Sequence, residues 1–205
     1  MAKPEKDRKL KIIEAAVKLF AKEGAAFTKL SEVAKSAKVP APLIHYYYKE
    51  PEDLHYDVIL YVLESLKEYN LRGTQNTSND PVSTLRAYLK GPLIWAKENP
   101  EYFGIWMYFY YMASRSERFE ALQTQIRIGG RERIGLMLYQ GFEKDVFKNP
   151  NRRPVSEIAR EVQTQITGQA VMFGCEKRDR PIESFISDLE QSVFQMLGVT
   201  LSSKR

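Results

Sequence analysis

The residue types that could support catalysis are few in this sequence, and they are not arranged for it. The chain has two histidines, His45 and His55, and one cysteine, Cys175, without the spacing of a zinc site. It has no Gly-x-Ser-x-Gly segment, phosphate-binding glycine loop or dinucleotide-binding fingerprint. Gly129-Gly130-Arg131 lies inside a helical pattern with no preceding strand, so we expect no phosphate cradle there. We predict that the protein is not an enzyme and holds no metal or cofactor.

The chemistry that the sequence does offer lies on two short helical patterns between residues 28 and 54. The first pattern breaks at residues 38–40 and the second begins at once, which is typical of a helix-turn-helix. Pro42, His45 and Tyr46 fall on the outward side of the second pattern and could enter a DNA major groove. An ordinary helical hairpin inside a bundle would give the same pattern, so spacing alone leaves both interpretations open.

Composition and charge fit a soluble globular protein with a basic N-terminal part. Apolar residues make up 43% and charged residues 28% of the 205 positions, and no apolar run approaches the length of a membrane span. Residues 1–49 hold 11 Lys/Arg and 5 Asp/Glu, giving +6; of the totals of 31 and 26, the rest holds 20 and 21, giving −1. A basic head favours a polyanion as partner. The single cysteine favours a reducing cytoplasm.

The same stretch resembles a known family. Val33-Ala34, Ala37, Val39 and Leu43 to Tyr48, followed by Glu52-Asp53-Leu54, look like the signature of TetR-type transcriptional regulators. The resemblance is close over about residues 10–60 and elsewhere extends only to the layout of the helices. It implies an all-α fold of about nine helices, with a DNA-binding head at 1–50 and a helical effector-binding and dimerisation domain at 51–205. It also implies a homodimeric, ligand-responsive regulator, most simply a repressor on a palindromic operator.

The residues expected to contact double-stranded DNA fall in two groups. Side chains on the second helix of the pair would read base edges, and residues around it would hold phosphates without reading sequence. The charged arm at residues 1–9, with Lys3, Lys6, Arg8 and Lys9, could also reach phosphate. The predicted DNA-binding residues are Thr28, Lys29, Lys38, Pro40, Ala41, Pro42, His45, Tyr46, Tyr47 and Lys49.

Several positions depart from the family pattern. Lys38 stands where the family usually has glycine, and Pro40 stands where it usually has a capping serine. Pro51 replaces a lysine that meets phosphate in the family, and Glu50 beside it adds a repulsive charge. These changes leave two rival functions open: a small-molecule sensor with a weakened DNA-binding head, and a module whose helix-turn-helix docks a protein partner.

Residues 93–112 contain both tryptophans among many other aromatic residues. Bulky apolar side chains with a few hydroxyl groups suit a cavity for a hydrophobic or aromatic effector, although such a stripe is also typical of solid core. The predicted effector-binding residues are Tyr61, Trp95, Tyr102, Phe103, Trp106, Met107 and Tyr110.

Three amphipathic patterns close the chain. In the first, from about residue 117 to 147, Gly129-Gly130 predicts a kink or close packing, and Ile126 is expected to face inward. The last two form a pair that could pack on the same pair of a second copy as a four-helix interface. The predicted dimerisation residues are Val155, Ile158, Val162, Ile166, Phe173, Phe185, Leu189, Val193 and Met196.

Overall fold

The computed structural model describes residues 3–75, 77, 79–176 and 179–200, which form nine α-helices and one 3₁₀ turn and contain no strand. This confirms the predicted all-α fold. None of the described helices combines the length and apolarity needed to cross a membrane. The helices are α1 (Lys3–Glu23), α2 (Leu30–Ser36), α3 (Ala41–Tyr47), α4 (Pro51–Gln75), α5 (Pro81–Glu98), α6 (Pro100–Ala113), α7 (Glu117–Glu143), α8 (Val155–Glu176) and α9 (Ile182–Met196), with the 3₁₀ turn at Ala25–Phe27.

The chain divides into two compact units that do not follow its linear order. Unit 1 comprises Met1–Leu66 and Asn99–Glu120, and unit 2 comprises Lys67–Glu98 and Ala121–Arg205. This division differs from the boundary predicted at residue 50, because α6 returns to pack against α1 and joins the head. The packing of α6 on α1 is a long-range contact that no local sequence pattern predicts.

The helix-turn-helix depends on a small shared core in unit 1. Helices α2 and α3 have seven residues each, too few for a stable isolated helix. Their apolar residues Val33, Ala34 and Ile44 are at most 2% exposed, as are Ile12 and Ala16 of α1. Packing of α2 on α1 and of α3 on α2 therefore supplies the stability that the two short helices lack, and it fixes which side of α3 faces outward.

A hydrogen-bonded cluster joins the end of α3 to α1 and α4. Tyr48, the residue that ends α3, is 1% exposed, and its hydroxyl donates to Asp57 Oδ2 of α4 at 3.0 Å. Lys9 Nζ of α1 pairs with the same oxygen at 2.6 Å. Burial and the neighbouring Asp57 carboxylate raise the pKa of Tyr48 far above its ordinary value, so the hydroxyl stays a donor. This Lys9–Asp57–Tyr48 cluster fixes α3 to two longer helices.

The glycine pair in α7 allows close packing within unit 2 rather than a break in the helix. Helix α7 continues through Gly129 and Gly130, and a Cβ at Gly130 would collide with the side chain of Gln163 on α8. Gln163 Nε2 donates to the carbonyl oxygen of Arg127 at 3.2 Å, and Arg131 Nε donates to Gln163 Oε1 at 3.0 Å. Of the two predicted alternatives, close packing is the one observed.

The turn between α2 and α3 contains a strained residue. Lys38 has φ 55°, in the left-handed region that favours the glycine usual in the family at this position. Its amide donates to the carbonyl oxygen of Lys35 at 3.2 Å, and the Val39 amide donates to that of Ala34 at 3.0 Å. The turn thus keeps the geometry of a glycine-terminated helix although lysine occupies it.

Lys38→Gly is expected to raise the free energy of unfolding by about 0.5–1 kcal/mol. Relief of a left-handed non-glycine residue gains roughly 1–2 kcal/mol, and the extra backbone entropy of glycine takes back roughly 0.5–1 kcal/mol. Urea denaturation measures the difference. The control is Lys35→Gly at an exposed position of α2, which should lower the free energy of unfolding by about 1 kcal/mol. A loss of stability in Lys38→Gly would contradict the assigned conformation.

Tyr48→Phe is expected to lower the free energy of unfolding by about 1.5–3 kcal/mol, the usual contribution of a hydrogen bond to a charged group. The variant removes the donor to Asp57 and keeps the buried ring. Tyr46→Phe is the matched control, because Tyr46 is 73% exposed and should change stability by less than about 0.5 kcal/mol. Equal effects of the two variants in urea denaturation would refute the proposed importance of the cluster.

Candidate nucleic-acid interface

Helix α3 begins without a side-chain cap. Pro40 occupies the N-cap position with φ −59° and ψ 140°, and its carbonyl oxygen accepts the Leu43 amide at 2.9 Å. Pro42 lies in the first turn, where its missing N–H has no intrahelical partner to lose. The two prolines therefore restrict the backbone at the start of α3. The hydrogen bond from the Leu43 amide to the Pro40 carbonyl oxygen replaces part of the capping that a serine side chain would provide.

The outer face of α3 presents a compact set of exposed side chains. Ala41, Pro42, His45 and Tyr46 are exposed, whereas Ile44 is fully buried on the opposite face. The ring of Tyr46 lies edge-on to that of Tyr47 at 5.3 Å between centroids, which restricts its orientation. Tyr46 offers a phenol hydroxyl and His45 an imidazole, which can form hydrogen bonds with base edges. Ala41 and Pro42 offer small apolar groups, which can contact thymine methyl groups.

Three of the predicted phosphate-binding residues are lysines with exposed side chains. Lys29, Lys38 and Lys49 are exposed and flank α2 and α3, and Tyr47 is half-buried beside them. The amide of Lys29 donates to the Glu32 carboxylate at 2.9 Å, which closes the first turn of α2 and leaves the ammonium group to solvent. These lysines make the rim of α3 positive.

Two other predicted phosphate contacts are already engaged within the chain. The Thr28 hydroxyl donates to the carbonyl oxygen of Gly24 at 3.0 Å and its amide to that of Ala25 at 3.4 Å, so neither donor is free for phosphate. Lys9 is paired with Asp57. Both residues therefore stabilise the head from within. The partners of Thr28 lie in the turn just before it, whereas the partner of Lys9 lies on α4 and could not be read from the sequence. The side chains of Lys3 and Lys6 lie outside the described residues.

The first turn of α4, directly after α3, is tied to the start of α7 within unit 1. Arg118 Nη1 donates to Asp53 Oδ1 at 2.8 Å, and the Ser116 hydroxyl donates to Glu52 Oε1 at 2.8 Å. The Arg118 guanidinium also lies 4.1 Å from the ring centroid of Tyr56. Its hydrogen bond lowers the pKa of Asp53. A movement at the start of α7 would therefore displace the first turn of α4, the helix that follows α3.

The predicted effector-binding residues separate into two groups. Six lie on α4 and α6 in unit 1, and Trp95 lies in unit 2 with 1% exposure. In unit 1, Trp106 stacks on Phe103 at 5.5 Å between centroids and meets Tyr110 edge-on at 4.8 Å. Tyr61 and Tyr102 form another edge-on pair at 6.0 Å. The rings pack chiefly on one another, so effector binding here stays a prediction, with Met107 half-buried beside them.

Burial and a hydrogen bond with Tyr61 raise the pKa of Tyr102 to about 12. The hydroxyl of Tyr102 is thus neutral at physiological pH and hydrogen-bonded to Tyr61.

The predicted dimerisation stripe needs correction. Seven of its nine residues are at most 7% exposed within a single chain and form the core of unit 2, so they are not available to a second copy. Only Val155 and Met196 are half-buried. The reason is that α8 and α9 pack on each other and on α5. The corrected residues are Ile158, Val162, Ile166, Phe173, Phe185, Leu189 and Val193.

The sequence reading also missed an exposed apolar surface on α7. Ile128, Leu136 and Tyr139 are each about half exposed or more, and Ile126, expected to face inward, is 45% exposed. These residues occupy other helical positions than the inward-facing Ile134 and Leu138. This difference in spacing is the sequence signal that could have revealed a second apolar face.

One buried titratable group lies beneath the helix-turn-helix. His55 of α4 is 9% exposed, and its ring lies edge-on to Phe20 of α1 at 5.0 Å and to Tyr108 of α6 at 5.6 Å. The Tyr108 hydroxyl is 3.2 Å from His55 Nδ1. Burial lowers the pKa of His55, although the Glu52 charge opposes the shift, so the ring is neutral at physiological pH.

The free energy of unfolding is expected to fall as the pH drops below about 6.5, the ordinary histidine pKa. In this pH range the unfolded state binds a proton that the folded state does not. The stability that the neutral ring contributes is therefore lost progressively, until the pH falls below the lowered pKa of His55 in the folded state. His55→Phe removes the titration and keeps a packed ring. Urea denaturation from pH 7.5 to 5 should show a smaller pH dependence in the variant, and parallel curves would contradict the assignment.

Comparisons with known proteins agree with this geometry. The model of bacterial regulatory proteins of the tetR family matches residues 12–55, the span from α1 to the start of α4. The HTH-type transcriptional regulator AcrR of Shigella flexneri is 31% identical over 78 residues, which cover 38% of this chain and 36% of that protein. The match thus spans about a third of the length of this curated relative.

Solved structures extend the likeness to the whole fold. A TetR transcription regulator of Haloarcula marismortui superposes with a TM-score of 0.80 at 19% identity, covering 96% of this chain and 100% of that one. The TetR family transcriptional regulator PfmR of Thermus thermophilus gives 0.67 at 19% identity, covering 93% and 99%. At these identities the likeness concerns the fold. The match of residues 12–55 to the tetR model confirms the resemblance that the sequence showed over the helix-turn-helix.

Proposed function

We propose that the protein is a transcriptional regulator that binds double-stranded DNA by placing α3 in the major groove. The observation that carries the proposal is the outer face of α3, where His45 and Tyr46 stand exposed on a helix whose opposite face is fully buried. Exposed Lys29, Lys38 and Lys49 around it would hold phosphates and set the register. These outward side chains take no part in the shared core that buries Ile44.

Recognition of a full operator requires two such heads. One α3 presents about four side chains and reads only a few base pairs, whereas a homodimer reads two half-sites related by a two-fold axis. We therefore include a homodimer and a palindromic operator in the proposal. The net charge of +6 within residues 1–49 would strengthen binding of each head to the phosphate backbone.

Regulation by a small molecule is the finer part of the proposal, with repression as its simplest form. The aromatic side chains of α6 lie against α4, the helix that follows α3. A hydrophobic or aromatic effector inserted among them would displace α4 and so change the position of α3. Effector and operator then favour different states, and each weakens binding of the other by the same factor.

The experiment that tests DNA binding is the selection of random and genomic duplexes by the ligand-free protein, followed by titration of the winner across a salt series. Three lysines in each of two heads predict a slope of log K against log salt of about −5. A palindromic winner with such a slope supports the proposal. Weak binding without a preferred sequence would favour the sensor with a weakened head, and affinity insensitive to salt would exclude phosphate contacts.

His45→Ala combined with Tyr46→Ala is expected to lower affinity for the selected operator by at least about 100-fold, because both heads lose their base contacts. Binding to unrelated DNA should change little, since the lysines remain. Tyr111→Ala, which removes an exposed tyrosine from α6, is the control and should leave operator affinity unchanged. Operator affinity that survives the double change would refute the placement of the recognition helix.

A further inference from the structure

The most exposed apolar side chain of the head stands just before α2. Phe27 is 80% exposed, the largest fraction among the large apolar side chains of the described residues. It ends the 3₁₀ turn Ala25–Phe27, which connects α1 to α2. Phe20, at the other side of the same turn, is 5% exposed, so the core beside it is already filled by a ring. A single exposed apolar side chain is common at protein surfaces, and exposure alone assigns Phe27 no role.

The turn that carries Phe27 holds its ring in one place. The Phe27 amide donates to the carbonyl oxygen of Gly24 at 3.2 Å, and the Thr28 hydroxyl donates to the same oxygen at 3.0 Å. Gly24 has φ 89°, a value that favours glycine. The ring lies against this glycine, since a Cβ there would be 3.2 Å from Phe27 Cδ2. One face of the ring is therefore supported by backbone and the rest is open to solvent.

Phe27 and Lys29 flank buried Thr28 and lie on the opposite side of the chain. Thr28 is 8% exposed, and its backbone is extended with φ −81° and ψ 123°. Alternate side chains of an extended segment share one side, so Phe27 and Lys29 are neighbours about 7 Å apart along the chain. The segment before α2 thus presents an aromatic ring beside an ammonium group, where the sequence predicted a threonine hydroxyl.

We propose that the Phe27 ring packs on a deoxyribose of the DNA backbone, next to the phosphate that Lys29 binds. The inference rests on the proposed function, in which this head binds double-stranded DNA, and it adds a contact residue. In a helix-turn-helix the first helix of the pair crosses the DNA backbone while the second enters the groove. Residues at the start of α2 therefore lie over sugars and phosphates. The C–H groups of a sugar are apolar, and covering them with a phenyl ring removes apolar surface from water.

A ring on a sugar differs from the other contacts of the head in two measurable properties. The sugar is the same at every base pair, so the contact strengthens binding to the operator and to unrelated DNA by the same factor. The ring is uncharged and releases no counterions, so its loss leaves the salt dependence unchanged. A lysine on phosphate, in contrast, sets the salt dependence, and Tyr46 on a base edge affects the operator alone.

The test is the titration of Phe27→Ala, in the full chain, against the selected operator and an unrelated duplex across a salt series. Affinity for both duplexes is expected to fall by at least about tenfold, because each of two heads loses an apolar contact. The slope of log K against log salt should stay that of the wild type. Phe27→Leu keeps much of the apolar surface and should recover most of the affinity.

Two further variants separate this contact from a general effect on the head. Lys29→Gln should reduce the magnitude of the salt slope by about 1.8, for one phosphate contact in each of two heads. Tyr111→Ala removes another exposed ring, on α6 outside the helix-turn-helix, and should leave both affinities unchanged. Urea denaturation verifies that each variant is folded.

The inference is overturned if Phe27→Ala binds both duplexes as the wild type does, if it weakens binding to the operator alone, or if it changes the salt slope as Lys29→Gln does. A wild-type protein that binds no DNA would overturn the proposed function together with this contact. Wild-type DNA binding that persists in Phe27→Ala would remove the contact and leave the proposed function intact.

Discussion

The position of the end of α3 depends on one carboxylate, that of Asp57. It accepts the hydroxyl of buried Tyr48 at 3.0 Å and pairs with Lys9 at 2.6 Å, so α1, the end of α3 and α4 meet at a single side chain. Two seven-residue helices have little stability of their own. Their position is therefore set by long-range contacts with α1 and α4, and this cluster is the polar contact that fixes the end of the recognition helix.

The same helix that carries Asp57 also carries the contacts through which the head could be regulated. Within unit 1, Glu52 and Asp53 in the first turn of α4 bind Ser116 and Arg118, and His55 one turn later lies between α1 and α6. Any displacement of α4 would therefore alter two sets of contacts: those of Asp57 at the end of α3, and those of Glu52 and Asp53 at the start of α7. This arrangement gives a physical route by which an effector against α6 could act on DNA binding without touching α3.

Much of the fold could be predicted because its helix boundaries are marked locally. Pro51, Pro81 and Pro100 each begin a helix, as their preset φ favours, and the break at residues 38–40 separates α2 from α3 as expected. The exposed positions of His45 and Tyr46 followed from the period of 3.6 residues. Lys9 could not be assigned in this way, because its partner Asp57 lies on another helix, α4.

By itself, then, the sequence determined the helices and which residues of α3 lie opposite its apolar side, since each depends on residues within a few turns of one another. Only the tertiary structure decided how the amphipathic helices share their apolar faces. The stripe on α8 and α9 had the pattern of an interface, yet Ile158, Val162 and Phe185 fill the core of their own unit. Leu136 and Tyr139, in contrast, remain exposed on α7. Periodicity shows that a face is apolar but not what covers it, because the choice between its own chain and a second copy depends on distant segments.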